Sequence, residues 1–142
     1  MDKVVDYKVA NGIATITLNR PDSLNAMNAS LLEGAVNALD AAALDPHVRV
    51  VILTGAGRGF CAGGDLGATD TLGHGDTEAK IEVLKTLQRS SKLLRTMPKV
   101  TIAAINGPCA GGGFSWAAAA DLRYAAASAK FTTAYLNAGP QP

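Results

Sequence analysis

Two segments of the chain share a design suited to chemistry at an oxygen atom. Each runs from an apolar, β-branched stretch into clustered glycines. The first is Val51-Ile52-Leu53-Thr54-Gly55-Ala56-Gly57-Arg58-Gly59-Phe60-Cys61-Ala62-Gly63-Gly64-Asp65-Leu66. The second is Ile102-Ala103-Ala104-Ile105-Asn106-Gly107-Pro108-Cys109-Ala110-Gly111-Gly112-Gly113. In α/β sheets, ligands bind beyond the carboxyl ends of parallel strands. Glycines placed there let backbone N–H groups face a ligand without a Cβ in the way. The second cluster also opens an alanine-rich helix, whose first N–H groups have no intrahelical partner and carry the positive end of the dipole. Two such N–H groups aimed at one oxygen would make an oxyanion hole. The competing reading is that these glycines serve only tight turns and close helix–strand packing, and spacing alone does not separate the two.

Other residues with reactive side chains are less telling. A nucleophilic Ser115 would need a base within hydrogen-bond reach. The histidines are His47, beside Pro46 in a turn, and His74, in a Gly-His-Gly loop, and neither follows Ser115 on a pocket strand. Ser115 is therefore read as a small residue that widens a pocket or satisfies a helix carbonyl. Cys61 and Cys109 are too few for a metal site and are read as small buried packing. Asp65 is read as an acceptor of N–H bonds that fix the first turn. Tyr135, with a phenol pKa near ~10, is a poor base. The run Gly55-Ala56-Gly57-Arg58-Gly59-Phe60 half-resembles a dinucleotide fingerprint, but Phe60 stands where the last glycine belongs and no helix pattern starts there. No P-loop pattern occurs.

The elements that must position these turns follow from periodicity. Val4–Val9 and Ile13–Leu18 read as strands joined by Asn11-Gly12, a hairpin signal because both positions tolerate positive φ. Ser30-x-x-Glu33 reads as a capping box, which starts a helix at Ser30 that ends at Asp45-Pro46. Val48–Leu53 and Val100–Ile105 read as strands buried on both faces of a parallel sheet. Residues 68–76 read as a mobile loop. A helix is expected over Thr77–Arg95, with Ile81, Leu84, Leu87, Ser91 and Leu94 inward. Phe114–Ala120 reads as a closely packed helix, followed by short strands at Leu122–Ala126 and Lys130–Thr132. A hairpin followed by alternating helices and strands makes the class α/β.

Composition narrows the function. The chain has 142 residues, 48% hydrophobic and 18% charged, a globular make-up of one-domain length. A formal charge of +1 argues against nucleic-acid binding through a basic face. No apolar run reaches the roughly 18 residues of a membrane span. No signal-peptide pattern is seen at Met1-Asp2-Lys3. Two cysteines suit a reducing compartment, so a cytoplasmic location is expected.

Three motifs, in order, give a specific resemblance. Asn19-Arg20-Pro21-Asp22-Ser23-Leu24-Asn25-Ala26-Met27, then Gly59–Leu66, then Pro98–Gly113 resemble the crotonase superfamily, the enoyl-CoA hydratase/isomerase family. The match runs from the first hairpin to about Gly139. The resemblance implies a crotonase-like (ClpP/crotonase) α/β fold of repeated ββα units. It implies an acyl-CoA thioester substrate, as in fatty acid metabolism, and an oxyanion hole for the thioester enolate. The catalytic N–H donors would fall on Gly64 and Gly112. The CoA-facing backbone would map to Ser23, Ala26 and Ala62, with Gly63, Asp65 and Leu66 beside the acyl pocket. No metal or redox cofactor is implied, since coenzyme A arrives as part of the substrate. Assembly as a homo-trimer or hexamer is expected of the complete protein.

The chain departs from that pattern. The two positions where hydratases carry acid/base glutamates fall on Ser115 and Tyr135. Paired carboxylates add and remove protons at neutral pH, and a serine hydroxyl does not do so unaided. The pattern also breaks at Pro140-Gln141-Pro142, where an isomerase-like branch would soon place an acid. Residues 1–142 are thus expected to be a single crotonase-like N-terminal core, truncated after about residue 139, with the C-terminal helical part missing. Isomerisation is favoured over hydration. The alternative is an inactive acyl-CoA-binding protein or partner subunit. An exposed apolar patch is expected around Phe114, Trp116, Phe131 and Leu136, because the two long amphipathic helices each cover one side.

Overall fold

The computed structural model describes residues 3–64 and 77–133. Strands β1 (Val5–Ala10) and β2 (Ile13–Leu18) pair antiparallel. The turn between them sets Asn11 and Gly12 at φ 54° and 80°, as an Asn-Gly hairpin turn requires. Helix α1 (Ala29–Leu44) then leads to β3 (Val50–Gly55), and α2 (Thr77–Thr96) to β4 (Val100–Ile105). Short β5 (Cys109–Ala110) precedes α3 (Gly112–Ala119), β6 (Leu122–Ala125) and β7 (Phe131–Thr132). The main sheet has the order β1-β2-β3-β4-β6, parallel from β2 onward, and β5 pairs with β7 in a second, small sheet. Among the described residues no helix is long and apolar enough to cross a membrane.

Helix α1 begins one residue earlier than the capping-box reading placed it. The cap is Asn28, whose side chain accepts from Leu31 N–H at 2.9 Å, which leaves Ser30 exposed inside the first turn. At its other end Lys99 Nζ donates to the carbonyls of Ala42 and Asp45, a cation on the negative end of the helix. Helix α2 buries Leu87, Ser90 and Leu94, while Ile81 and Leu84 are exposed and Ser91 is half-buried. The inward serine is Ser90 because its hydroxyl accepts from the indole N–H of Trp116 at 2.7 Å and donates to the Leu87 carbonyl at 2.6 Å. That pairing takes Trp116 to full burial, so it does not belong to an exposed patch; Phe114 and Phe131 do stand exposed, edge to face with centroids 6.4 Å apart. Leu136 lies outside the described residues, as does the loop expected at 68–76.

The central strands are not buried on both faces. Val51, Leu53, Thr101, Ala103 and Ile105 are buried beneath the helices. Ile52 and Ile102, in register on the other face, are half-buried, and on β6 Leu122, which continues their row, and Tyr124, opposite Ala104, are exposed. Helices α1 and α2 form one layer on one side, and among the described residues no second layer covers the other. The helix layer is tied by Arg89 to Asp40 at 2.8 Å. Below it, Thr101 donates its hydroxyl to the Leu94 carbonyl and exchanges bonds with Asp121, which fixes the entry into β6.

Candidate active site

The carboxyl ends of β3 and β4 deliver the two glycine-rich turns to one place. From β3 the chain coils through residues 55–60 and then extends through Cys61–Gly64. Phe60 and Cys61 both donate to the Pro108 carbonyl, at 3.1 and 3.2 Å, and Ala110 donates to the Cys61 carbonyl at 3.0 Å. Cys61 and Cys109 thus form a parallel bridge. On its other edge the same segment meets the turn after β2. Ala62 donates to the Leu24 carbonyl at 3.0 Å, and Met27 donates to the Gly63 carbonyl at 2.6 Å. Segment 61–64 therefore lies between the Asn25–Met27 turn and β5.

Glycine is required where these segments touch. A Cβ on Gly113 would lie 2.4 Å from the Cys61 carbonyl oxygen, and one on Gly107 would lie 1.9 Å from that of Arg58. A Cβ on Gly63, at φ 91°, would stand 3.0 Å from the Ala110 oxygen and 3.4 Å from the Gly111 Cα.

Of the two expected donors, Gly64 ends segment 61–64 and Gly112 starts α3. Gly112 is the first residue of α3, and the first intrahelical bond closes from Ser115 N–H to the Gly111 carbonyl at 3.1 Å. The Gly112 N–H thus precedes the helical ladder and faces the positive end of the dipole. Gly64 pairs with Met27 as an isolated parallel bridge in which Met27 uses the Gly63 carbonyl. Across the planar trans peptide the Gly64 N–H points opposite to the Gly63 carbonyl, and so away from Met27. Met27 also reaches Gly112, because a Cβ there would lie 2.6 Å from its Sδ. The main chain of Met27 thus meets one turn and its side chain the other.

Of the remaining expected site residues, Ser23 ends an exposed short helical turn, Pro21–Ser23, and Ala26 is buried with its carbonyl accepting from the Arg20 guanidinium. Ala62 and Gly63 lie in the segment just described. Asp65, Leu66 and Tyr135 lie outside the described residues, so the roles expected for them have no structural counterpart here. Ser115 is half-buried on α3 and lines a groove of about 600 Å³ with Leu84, Gln88, Ser91, Lys92 and Ala118. His47 sits before β3, at the end of that strand opposite the glycine turn, and is exposed. Among the described residues no cluster of three metal-ligating side chains occurs.

Sequence reasoning missed Asn25 and Asn106. Asn25 is fully buried with φ 56°. Its Nδ2 donates to Ala56 and Gly59 carbonyls, and its Oδ1 accepts from Arg20 N–H. Asn106 donates to the carbonyls of Gly55, Gly57 and Gly59 and accepts from Gly55 N–H. The available signal was their place in turns that also carry glycine or proline, which marks a bend but not its partners.

Residues 8–142 match the family model described as enoyl-CoA hydratase/isomerase. The chain belongs to the enoyl-CoA hydratase/isomerase family. A probable enoyl-CoA hydratase of Mycobacterium tuberculosis is 40% identical over 131 residues, which cover 89% of this chain and 46% of that protein. The 1,2-epoxyphenylacetyl-CoA isomerase of Escherichia coli is 37% identical over 94% of this chain and 52% of its own. A crystal structure of an enoyl-CoA hydratase from Mycobacterium avium subsp. paratuberculosis superposes with TM-score 0.85 at 32% identity, over all of this chain and 55% of that one. The crotonase-like fold is thereby established, and the chain spans about half the length of these family members.

Proposed function

We propose that this chain provides the acyl-CoA-binding, enolate-stabilising half of an enoyl-CoA hydratase/isomerase site, and that the complete protein favours isomerisation over hydration. The observation that supports the reading is the stitching of the two glycine turns by Phe60, Cys61 and Ala110, with Gly112 opening α3. Gly64 and Gly112 would donate to the thioester oxygen, and a negative charge developing there gains from both N–H groups and from the α3 dipole. Backbone groups of Ser23, Ala26 and Ala62 would face the CoA moiety, and Gly63, Asp65 and Leu66 would border the acyl chain. The relatives include both probable enoyl-CoA hydratases and a 1,2-epoxyphenylacetyl-CoA isomerase, and all of these names refer to CoA esters.

Hydration needs one group to activate water and another to protonate carbon. At the family's two acid/base positions this chain carries Ser115 and Tyr135. Shifting a double bond needs a single acid/base that moves a proton between two carbons, which is why isomerisation is the preferred reading. Proton transfer through an enolate uses neither metal nor redox group, so coenzyme A enters only as part of the substrate. Homo-trimeric or hexameric assembly and a cytoplasmic setting belong to the same proposal. The serine at position 115 also favours a second reading, a non-catalytic acyl-CoA binder.

The test begins with binding. Butyryl-CoA labelled with ¹³C at its carbonyl is expected to bind the chain with a downfield shift of that carbon, the mark of a polarised thioester. Free CoA and an S-alkyl analogue without the carbonyl should bind more weakly. No acyl-CoA binding at all would refute the proposal. With crotonyl-CoA no hydration is expected, and turnover at an ordinary enzyme rate would overturn the preference for isomerisation. In a chain that isomerises a 3-enoyl-CoA, Gly112→Pro removes one donor at a helix position that tolerates proline. The expected loss is about 2.7–4 kcal/mol of transition-state stabilisation. Isomerase activity absent from both this chain and a longer reading frame would favour the non-catalytic binder.

A further inference from the structure

The loop between β3 and Cys61 runs from half-buried Gly55 and Ala56 over exposed Gly57 and Arg58 to buried Gly59 and Phe60. The carbonyls of Gly55, Ala56, Gly57 and Gly59 find their donors in two side chains. Asn106 Nδ2 lies 2.9 Å from the Gly55 oxygen, 3.0 Å from that of Gly57 and 3.0 Å from that of Gly59. Asn25 Nδ2 lies 3.1 Å from the Ala56 oxygen and 3.0 Å from that of Gly59. The two amides therefore meet on the Gly59 carbonyl. Each also accepts, Asn106 from Gly55 N–H at 3.2 Å and Asn25 from Arg20 N–H at 2.7 Å. Only a primary amide offers two donors and an acceptor in one plane.

The chain that leaves this loop is the one that reaches Gly64, and it hangs on acceptors adjacent to the same asparagines. Leu24, which accepts from Ala62, precedes Asn25; Pro108, which accepts from Phe60 and Cys61, follows Asn106 by two residues and leads to Gly112. Little slack remains, since a Cβ on Gly55 would stand 2.3 Å from the Gly59 oxygen and 2.7 Å from Asn25 Nδ2.

We infer that the side-chain amides of Asn25 and Asn106 are positioning residues that set the spacing between the Gly64 and Gly112 N–H groups. This rests on the oxyanion reading proposed above. The asparagines do not touch the substrate. They clamp three turns into one block, so that the two donors arrive at a fixed separation before any ligand binds. Asparagine to aspartate keeps the shape and the acceptor but turns a carboxylate on two or three carbonyl oxygens. The block then opens at Gly59, and the Gly64 N–H moves relative to α3. A misplacement of about 1 Å is worth roughly 10²-fold in an oriented reaction.

The test compares the wild-type chain with Asn106→Asp and Asn25→Asp, with Asn106→Ser as the milder variant if Asn25→Asp does not fold. The first readout is the ¹³C shift of the carbonyl of bound butyryl-CoA, beside the dissociation constant of free CoA. The expected result in Asn106→Asp, whose amide bonds no residue of the proposed CoA-facing backbone, is loss of the downfield shift with CoA affinity unchanged, and in Asn25→Asp loss of the shift; a merely structural role would in Asn106→Asp weaken both together or neither. Retention of the full shift in a folded variant overturns the inference. If the wild-type chain itself produces no shift, the proposed function falls, and the ligand-free amide resonances decide the clamp. Displacement of the Gly64 and Gly112 resonances in the variants, with those of α1 unmoved, sustains the clamp. Unmoved Gly64 and Gly112 resonances overturn it.

Discussion

The turn after β3 and the turn after β4 share a sequence design, yet glycine does different work in each. In the first turn, Gly57 and Gly63 sit at φ 78° and 91°, where L side chains are strained, and amides from other turns hold the coil between them. In the second, Gly107 and Gly113 have no positive φ; what they supply is the missing Cβ, because backbone of the first turn lies against them. Gly111, at φ 54°, is the one residue of the second turn that glycine's conformation serves. The first turn thus needs positive-φ conformation and side-chain hydrogen bonds in addition to contact at Gly55, whereas the second, Gly111 apart, is shaped by contact. A donor N–H at a helix start needs little more than the helix, whereas one at the end of an irregular segment must be held from outside.

Alanine substitutions break this comparison most directly. Gly107→Ala puts a Cβ 1.9 Å from the Arg58 carbonyl oxygen, a backbone atom held by its neighbours, and is expected to prevent folding. Gly113→Ala, at 2.4 Å from the Cys61 oxygen, is expected to cost more than the ~1–3 kcal/mol usual for overpacking. Thermal unfolding followed by circular dichroism checks both. A cooperative, wild-type-like transition in Gly107→Ala would show that contact does not shape the second turn. Gly63→Ala tests the first turn, and its cost of about 1–3 kcal/mol comes from backbone conformation. Gly112→Ala is the sharpening case. Its Cβ meets the end of the flexible Met27 side chain, at 2.6 Å from Sδ, so a rotamer change should absorb most of the clash. Met27→Ala alone should cost about 2–5 kcal/mol as a buried cavity. Added to Gly112→Ala, it should cost less than that. Additive losses would mean that Met27 does not sense Gly112.

Strand and helix positions along the chain were legible because they rest on local patterning: Ile13–Leu18 stands where alternation puts it and Val100–Ile105 where its apolar run puts it. What lay hidden was set by partners far along the chain. Ser90 and Ser91 are indistinguishable by period until Trp116 chooses one. Asn28 displaces Ser30 as the cap because either residue type can cap, and the chain's path from Met27 into the bridge with Gly64 decides where the helix starts. Apolar residues on both faces of β3 and β4 predicted two covering layers; composition records that a face is apolar, but not which element covers it. The glycine turns themselves were legible as candidates. The amides that hold the first of them were not, since an asparagine in a turn carries no mark of the carbonyls it will meet.

The smallest effect distinguishes the two turns through their thiols. Cys61 lies at the head of segment 61–64 and Cys109 in β5 ahead of α3, and both are buried and free. Burial pushes the Cys61 thiol up to about 12 and the Cys109 thiol up to about 11, from an ordinary 9.0. Both are therefore protonated at neutral pH, and a disulfide-exchange reagent at pH 8 should react with them only after unfolding. The sign of the pH effect follows. A raised folded-state value means that the unfolded chain loses its proton first. Stability from the neutral thiol is then complete below pH 9 and declines as pH rises toward the folded value. The slope approaches about 1.4 kcal/mol per pH unit for each group. Urea midpoints between pH 8 and 10.5 should fall in the wild-type chain and fall less steeply in Cys61→Ala and in Cys109→Ala. Rapid reaction of both thiols in the native chain at pH 8 would show that the seam between the two turns opens to solvent, and the contact that separates the second turn from the first would then not be a fixed one.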